Sequence, residues 1–150
     1  MFDPALFDPV EFTKANEAAL DAIEVMVGQP LPASYRAAML AGTGSSTRGM
    51  WAVGEMDADL AGIIRAAPLH KNDYALPLVW ATMKDRLPKG WLPFARTSGG
   101  DIFCIALTGG RVALFVLDME PDEGAMAEAD LVPVATSLAE FAAMLVRFEM

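Results

Sequence analysis

Three apolar segments of strand length, separated by glycine-rich turns, constrain the fold of this sequence more than any other feature. They span residues 91–96, 102–107 and 112–117. Gly99-Gly100 lies in the first turn and Gly109-Gly110 in the second. Paired glycines are typical of tight hairpin turns because glycine adopts positive φ without a steric penalty. The spacing therefore predicts an antiparallel β-meander, with Gly109-Gly110 as a two-residue hairpin turn.

Two helices are predicted before the meander. Asp8 is a suitable N-cap for a helix over residues 9–27, and Gly28 supplies the left-handed residue that ends it. A second helix is expected over residues 32–41, opened by a proline and ended by a glycine. The N-terminal third of the chain is thus predicted to be helical.

The middle of the chain gives weaker patterns. Residues 42–47 are rich in glycine, serine and threonine and are expected to form a flexible loop, and residues 50–53 are apolar enough for a strand. Apolar residues at helical spacing then predict a short helix from Asp57 to Ala67 and another over residues 76–87. Each of these helices is followed by a proline.

The C-terminal part is predicted to add a strand and a helix. Residues 118–130 are expected to be loop, and residues 131–135 a last short strand. A capping box at residues 137–140 begins a final helix; its apolar face carries Leu138, Phe141, Leu145 and Phe148. The expected fold class is α+β, a single domain over residues 1–150 with N-terminal helices, a central antiparallel β-meander and a C-terminal helix packed on the sheet.

Charge and composition restrict the classes of partner. Eleven basic and twenty acidic residues give a net charge of −9, which argues against nucleic-acid binding and favours a basic protein partner. The alternative is that the charge only maintains solubility. The longest apolar stretch is interrupted at residues 108–111, so no membrane span is expected. A single cysteine, Cys104, and an acidic N-terminus without a signal-peptide pattern favour a cytoplasmic location.

The negative charge is concentrated in one segment, residues 118–130, which contains no basic residue. Like charges on one loop repel each other, so a functional reason such as attraction of a cationic partner is a natural hypothesis, with a solvated loop as the alternative. The candidate partner-binding residues are Asp118, Glu120, Asp122, Glu123, Glu128 and Asp130.

The sequence contains no recognisable catalytic or metal-binding motif. His70 follows a predicted helix in a polar turn without an adjacent partner, and Cys104 lies in an apolar strand. The glycine-rich segment 42–49 lacks the Lys-Ser/Thr ending of a P-loop, and Ser98 lies in a turn. No metal, no cofactor and no enzymatic activity are predicted. A small-molecule cleft around the tryptophans at positions 51, 80 and 91 is the alternative from another functional class.

Several segments, taken in order, resemble the SUKH superfamily. Residues 28–44 are similar to the family's series of glycine, Leu-Pro, aromatic residue, leucine and glycine loop. Residues 90–105 resemble its strand, Gly-Asp turn and strand, with Gly110-Arg111-Val112 at the next strand. Residues 134–145 resemble its closing helix. The resemblance covers about residues 15–148 and departs from the family after the second helix, where Gly42-Thr43-Gly44 replaces Asn-Gly. Residues 47–89 show no match, so whether they form a ligand-binding cleft is left open.

The resemblance implies a protein-binding domain, since the superfamily includes fungal regulators of cell-wall synthesis and bacterial immunity proteins that neutralise toxins. The leading hypothesis is a non-enzymatic immunity protein that binds a cognate toxin directly, the partner being a basic toxin domain. A regulatory or scaffolding module of the same fold is the alternative. The matching positions are mainly packing and turn positions, so they support the fold more than any binding site. The oligomeric state and the partner's identity do not follow from the sequence.

Overall fold

The computed structural model describes residues 2–69 and 73–148, and these residues form four α-helices and ten β-strands. The helices are α1 (Glu17–Val27), α2 (Ala33–Ala41), α3 (Leu76–Met83) and α4 (Leu138–Ala143). The strands are β1 (Phe12–Thr13), β2 (Thr43–Gly44), β3 (Trp51–Val53), β4 (Asp59–Leu60), β5 (Gly62–Ile63), β6 (Trp91–Arg96), β7 (Ile102–Ala106), β8 (Val112–Phe115), β9 (Val132–Ala135) and β10 (Leu145–Arg147).

The predicted meander is confirmed. Strands β5 to β9 form an antiparallel sheet in chain order, and every residue of β7 and β8 is buried. Ile102 pairs with Phe115 and Ile105 with Val112. Gly109 and Gly110 both adopt positive φ, at 89° and 75°. The turn is longer than predicted, because Ala106 receives a hydrogen bond from Gly110 and donates one to Arg111, which closes a four-residue loop.

A second sheet of three strands, in the order β10-β3-β4, continues the first. Strands β4 and β5 are separated by a single residue, Ala61, whose amide donates to the carbonyl of Arg96 on β6. Residues 59–63 therefore link the two sheets. The first turn of the meander, residues 97–101, lies next to this junction, because the amide of Ser98 donates to Asp59.

The C-terminal helix packs on the sheet as predicted. Phe141 of α4 is fully buried and contacts the rings of Phe94 on β6 and Phe103 on β7, with centroid distances of 5.5 Å and 5.0 Å. The ring of Phe2 also packs against Phe141, with a centroid distance of 6.3 Å. One aromatic cluster thus joins the chain start, the sheet and α4, and the α+β fold class is confirmed.

The first helix begins later than predicted. Asp8 caps only a short 3-10 helix, Pro9–Glu11, and α1 begins at Glu17 because the side chain of Asn16 accepts the amide of Ala19. The intervening residues form β1, which pairs with β2 and places the ring of Phe12 where a side chain at Gly42 would lie. Residues 43–44 are consequently a buried strand, which corrects the prediction of a flexible loop over 42–47.

The predicted helix between Asp57 and Ala67 is wrong. Residues 60–66 are buried, apart from partly exposed Ala61, and they include Leu60 of β4 and the whole of β5. Leu60, Ile63 and Ile64 are apolar and buried, so their spacing fits one face of a helix by chance. The other middle elements, a strand near residue 51 and a helix beginning at Leu76, are confirmed, although α3 already ends at Met83.

The last helix is shorter than predicted. Ser137 accepts the amide of Glu140 as its N-cap, but α4 ends at Ala143. Leu145 lies in β10, which pairs with β3, and the amide of Phe148 donates to the carbonyl of Met50. Leu145 and Phe148 therefore do not extend the helix.

Candidate functional site

The six candidate acidic residues lie on one loop, residues 118–130, which connects β8 to β9 and is called the acidic loop below. Two short 3-10 helices, Leu117–Met119 and Glu128–Asp130, begin and end it. Five of the six acidic residues are exposed and Glu120 is partly buried. The prediction that this segment is largely loop is confirmed, and its role in binding a partner stays a prediction.

Glu120 holds the first half of the acidic loop against the end of α3. The Arg86 guanidinium donates two hydrogen bonds to its carboxylate, from Nε at 2.7 Å and from Nη2 at 2.8 Å. Two parallel bonds of this kind fix orientation better than a single contact. The hydrogen bonds from Arg86 lower the pKa of Glu120, and those to Glu120 raise the pKa of Arg86. This carboxylate is therefore charged and already satisfied by the protein.

Glu128 holds the second half of the acidic loop against Trp91 and Arg111. Its Oε1 accepts from the indole Nε1 of Trp91 at 2.7 Å and from Nη2 of Arg111 at 2.7 Å. Arg111 also lies over the Trp91 ring, 5.1 Å from the centroid, an arrangement favoured by attraction between a cation and an aromatic face. Trp91 itself is buried, at 3% exposure. Glu128 thus satisfies a polar atom of a buried side chain, and that is a structural role.

Between these two anchors, Met126 inserts into the core with 1% exposure, and its amide donates to the carbonyl of Arg86. The remaining four acidic residues have no such partners: among the residues that the structure describes, no ion pair involves Asp118, Asp122, Glu123 or Asp130. The acidic loop therefore presents four uncompensated carboxylates from a backbone fixed at three points.

Sequence reasoning found the acidic residues but not their anchors. Arg86 and Arg111 are 34 and 17 residues from the carboxylates they contact. The sequence predicts Trp91 at the start of a strand and as the wall of a possible cleft, but not as a partner of Glu128. Trp51 and Trp91 line separate grooves, and Trp80 lines neither of them.

The residues considered for chemistry have structural surroundings. Cys104 is fully buried in β7, and burial raises the pKa of its thiol, so the reactive thiolate is disfavoured. Ser98 lies in an exposed turn, as predicted. The prediction for His70 falls outside the described residues.

Across 2–69 and 73–148, no group of three or more His, Cys, Asp or Glu side chains is arranged to hold a metal ion. Over the same ranges, none of the helices has the length and hydrophobicity that spanning a bilayer requires.

A comparison with protein-family models identifies the fold. The model of the SMI1 / KNR4 family (SUKH-1) matches residues 14–144. The chain belongs to the SMI1/KNR4 (SUKH-1) family. The match covers nearly the whole range over which the sequence resembled the SUKH superfamily, and it includes residues 47–89, where no resemblance had been detected. None of the curated proteins gives a significant match to the chain. Family membership accounts for the α+β architecture and implies interaction with another protein, without naming that protein.

Proposed function

We propose that this SUKH-1 domain is a non-enzymatic immunity protein that neutralises a toxin by binding it directly, and that the acidic loop contacts a basic surface of that toxin. The proposal assigns the contact to Asp118, Asp122, Glu123 and Asp130, with Glu120 and Glu128 holding the loop in position. In this proposal the protein acts in the cytoplasm, and binding requires neither a cofactor nor a metal ion.

The observation that supports this proposal is the combination of uncompensated charge and a fixed backbone. Four exposed carboxylates without ion pairs make the electrostatic potential at the loop more negative, which accelerates encounter with a cationic partner. A loop already held by Arg86, Arg111 and Met126 loses little conformational entropy on binding. A nuclease toxin would present a suitable surface, because it needs basic residues to hold phosphates.

The test begins with capture of the partner from the native organism and identification by mass spectrometry. The four unpaired acidic residues are then replaced by lysine, and the dissociation constant of the captured partner is measured at low and high salt. We expect the charge-reversed variant to bind at least tenfold more weakly, mainly through slower association, and the wild-type affinity to fall with salt. The control is a variant with Asp85→Lys, an exposed acidic position outside the loop. An unchanged dissociation constant after reversal of all four charges would refute the role of the loop.

The family also includes regulators, so a regulatory or scaffolding interaction is the second candidate function. Gene neighbourhood separates the two: an immunity gene is expected beside a gene for a large secreted toxin, and a regulatory module is not. The acidic loop serves either function, since both require a protein partner, and the identity of the captured protein decides between them.

A further inference from the structure

A groove of about 470 Å³ lies on the outside of the β10-β3-β4 sheet, next to the first turn of the meander. Apolar side chains line one part of it. Met50 and Phe148 are more than half exposed, at 58% and 57%, and Trp51 and Met56 are partly buried beside them. Large apolar side chains exposed together in a concave surface are typical of a binding site, whereas single exposed apolar residues need no explanation.

The other part of the groove is acidic. Asp57, Asp59 and Asp101 line it, and its described lining residues include no lysine or arginine. These carboxylates come from β4, the residues before it and the turn between β6 and β7, so they converge through the fold and not through the sequence. A groove that combines apolar walls with three carboxylates is complementary to a cationic side chain that lies beside an apolar one.

The groove is also connected to the acidic loop. The Oδ1 atom of Asp101 accepts the amide of Leu117, the residue that begins the loop's first 3-10 helix, at 2.9 Å. A partner that contacts Asp118 therefore lies near the rim of the groove. A second copy of this chain is a poor occupant, because two acidic grooves facing each other would repel, and each copy carries a charge of −9.

We propose that the groove receives a segment of the partner protein in which a lysine or arginine adjoins an aliphatic or aromatic side chain. The cation lies against Asp57, Asp59 and Asp101, and the apolar side chain packs against Met50 and Phe148. This inference rests on the proposed function as a protein-binding domain and adds the chemistry of the bound segment.

The test uses a phage-displayed library of random twelve-residue peptides, selected on the full chain. We expect the enriched peptides to carry a lysine or arginine next to an apolar residue. Their dissociation constants should rise about tenfold in Asp57→Asn, the change that corresponds to ~1.4 kcal/mol. Phe148→Ser should also weaken binding. Asp85→Asn is the matched control, since it removes one negative charge from an exposed position that does not line the groove.

Three outcomes would overturn the inference: no enrichment, enrichment of peptides without a basic residue, or peptides that bind Asp57→Asn as tightly as wild type. Asp57 is the preferred site of substitution because its neighbour Asp59 accepts the amide of Ser98, and a change at Asp59 would disturb the turn as well. The peptide selection needs no natural partner, so its failure is distinguishable from failure of the proposed function. A captured partner that responds to the acidic loop but not to Asp57→Asn would refute the groove alone.

Discussion

Replacement of Glu128 distinguishes an acidic residue that stabilises the fold from one that is available to a partner. In Glu128→Ala, the indole N–H of Trp91 loses its acceptor, and a buried donor without a partner destabilises a protein by about 1–3 kcal/mol. Water reaches this site from the exposed side of Glu128, so the lower half of that range applies. The exposed ion pair with Arg111 adds about 0.2–1 kcal/mol. We expect a total loss of about 2 kcal/mol in the free energy of unfolding.

Two further variants separate these contributions. Glu128→Gln keeps an oxygen that accepts from Trp91 and removes only the charge, so its loss should be below about 1 kcal/mol. Asp130→Asn, two residues away and without an ion pair in the described chain, should change stability by less than about 0.5 kcal/mol.

Urea denaturation followed by tryptophan fluorescence and circular dichroism measures all three variants. With a slope of about 2 kcal/mol/M, Glu128→Ala should lower the unfolding midpoint by about 1 M without changing the slope. Equal midpoints for Glu128→Ala and wild type would show that water satisfies Trp91 fully. The reasoning that assigns Glu128 to the fold would then be refuted, and Glu128 would be available to a partner like its four unpaired neighbours.

Three other predictions follow from the core and the acidic loop. The folded-state pKa of Glu120 lies below its ordinary value of 4.5, so its ion pair with Arg86 stabilises the fold above pH 4.5. That stabilisation is lost as the pH falls through the lowered pKa. The difference in free energy of unfolding between wild type and Glu120→Gln, measured by urea titration, should therefore be largest near neutral pH and shrink in acid. Cys104 should not react with a thiol reagent until guanidinium unfolds the protein, because it is fully buried and its thiolate is disfavoured; rapid reaction in native buffer would contradict this. A methyl group at Gly62 would overlap the backbone carbonyl of Ser45, so Gly62→Ala should lower the free energy of unfolding by about 2–3 kcal/mol. A methyl group at Gly99 would meet only the Thr97 side-chain oxygen, at an ordinary contact distance of 3.9 Å, so Gly99→Ala should be neutral within about 0.5 kcal/mol in the same denaturation assay.

The meander was predictable because its signals are local. Each of its strands is a short apolar run between turns, and the positive φ of Gly109 and Gly110 requires no information from elsewhere in the chain. The same holds for α2, whose ends are set by a proline and by Gly42. Local signals were less reliable at the start of the first helix, because Asp8 and Pro9 predict a helix from residue 9, whereas α1 begins at Glu17.

The missed strands depend on pairing across long sequence distances. Strand β10 pairs Leu145 with Val53, and no local pattern indicates that partner. In the sequence, Leu145 continues the helical spacing of Leu138 and Phe141, and the helix ends because Leu145 finds a strand to pair with. The sequence also predicts Asp57 as a helix cap, because the apolar residues after it recur at helical spacing although they belong to buried strands.

The distribution of charge explains why composition predicts an acidic surface but not which of its carboxylates lack an ion pair. All six carboxylates of the acidic loop count equally toward a net charge of −9, yet Arg86 and Arg111 neutralise two of them through contacts that only the fold creates. The fold also brings together carboxylates that are distant in the sequence. Asp57 and Asp101 are 44 positions apart, yet they line one groove whose described lining residues include no lysine or arginine. Since potentials from exposed charges decay over about 8 Å at physiological salt, a partner responds to this local arrangement and not to the total charge. The electrostatic potential that a partner would meet is therefore set by which carboxylates lack an arginine, and that is a property of the folded chain.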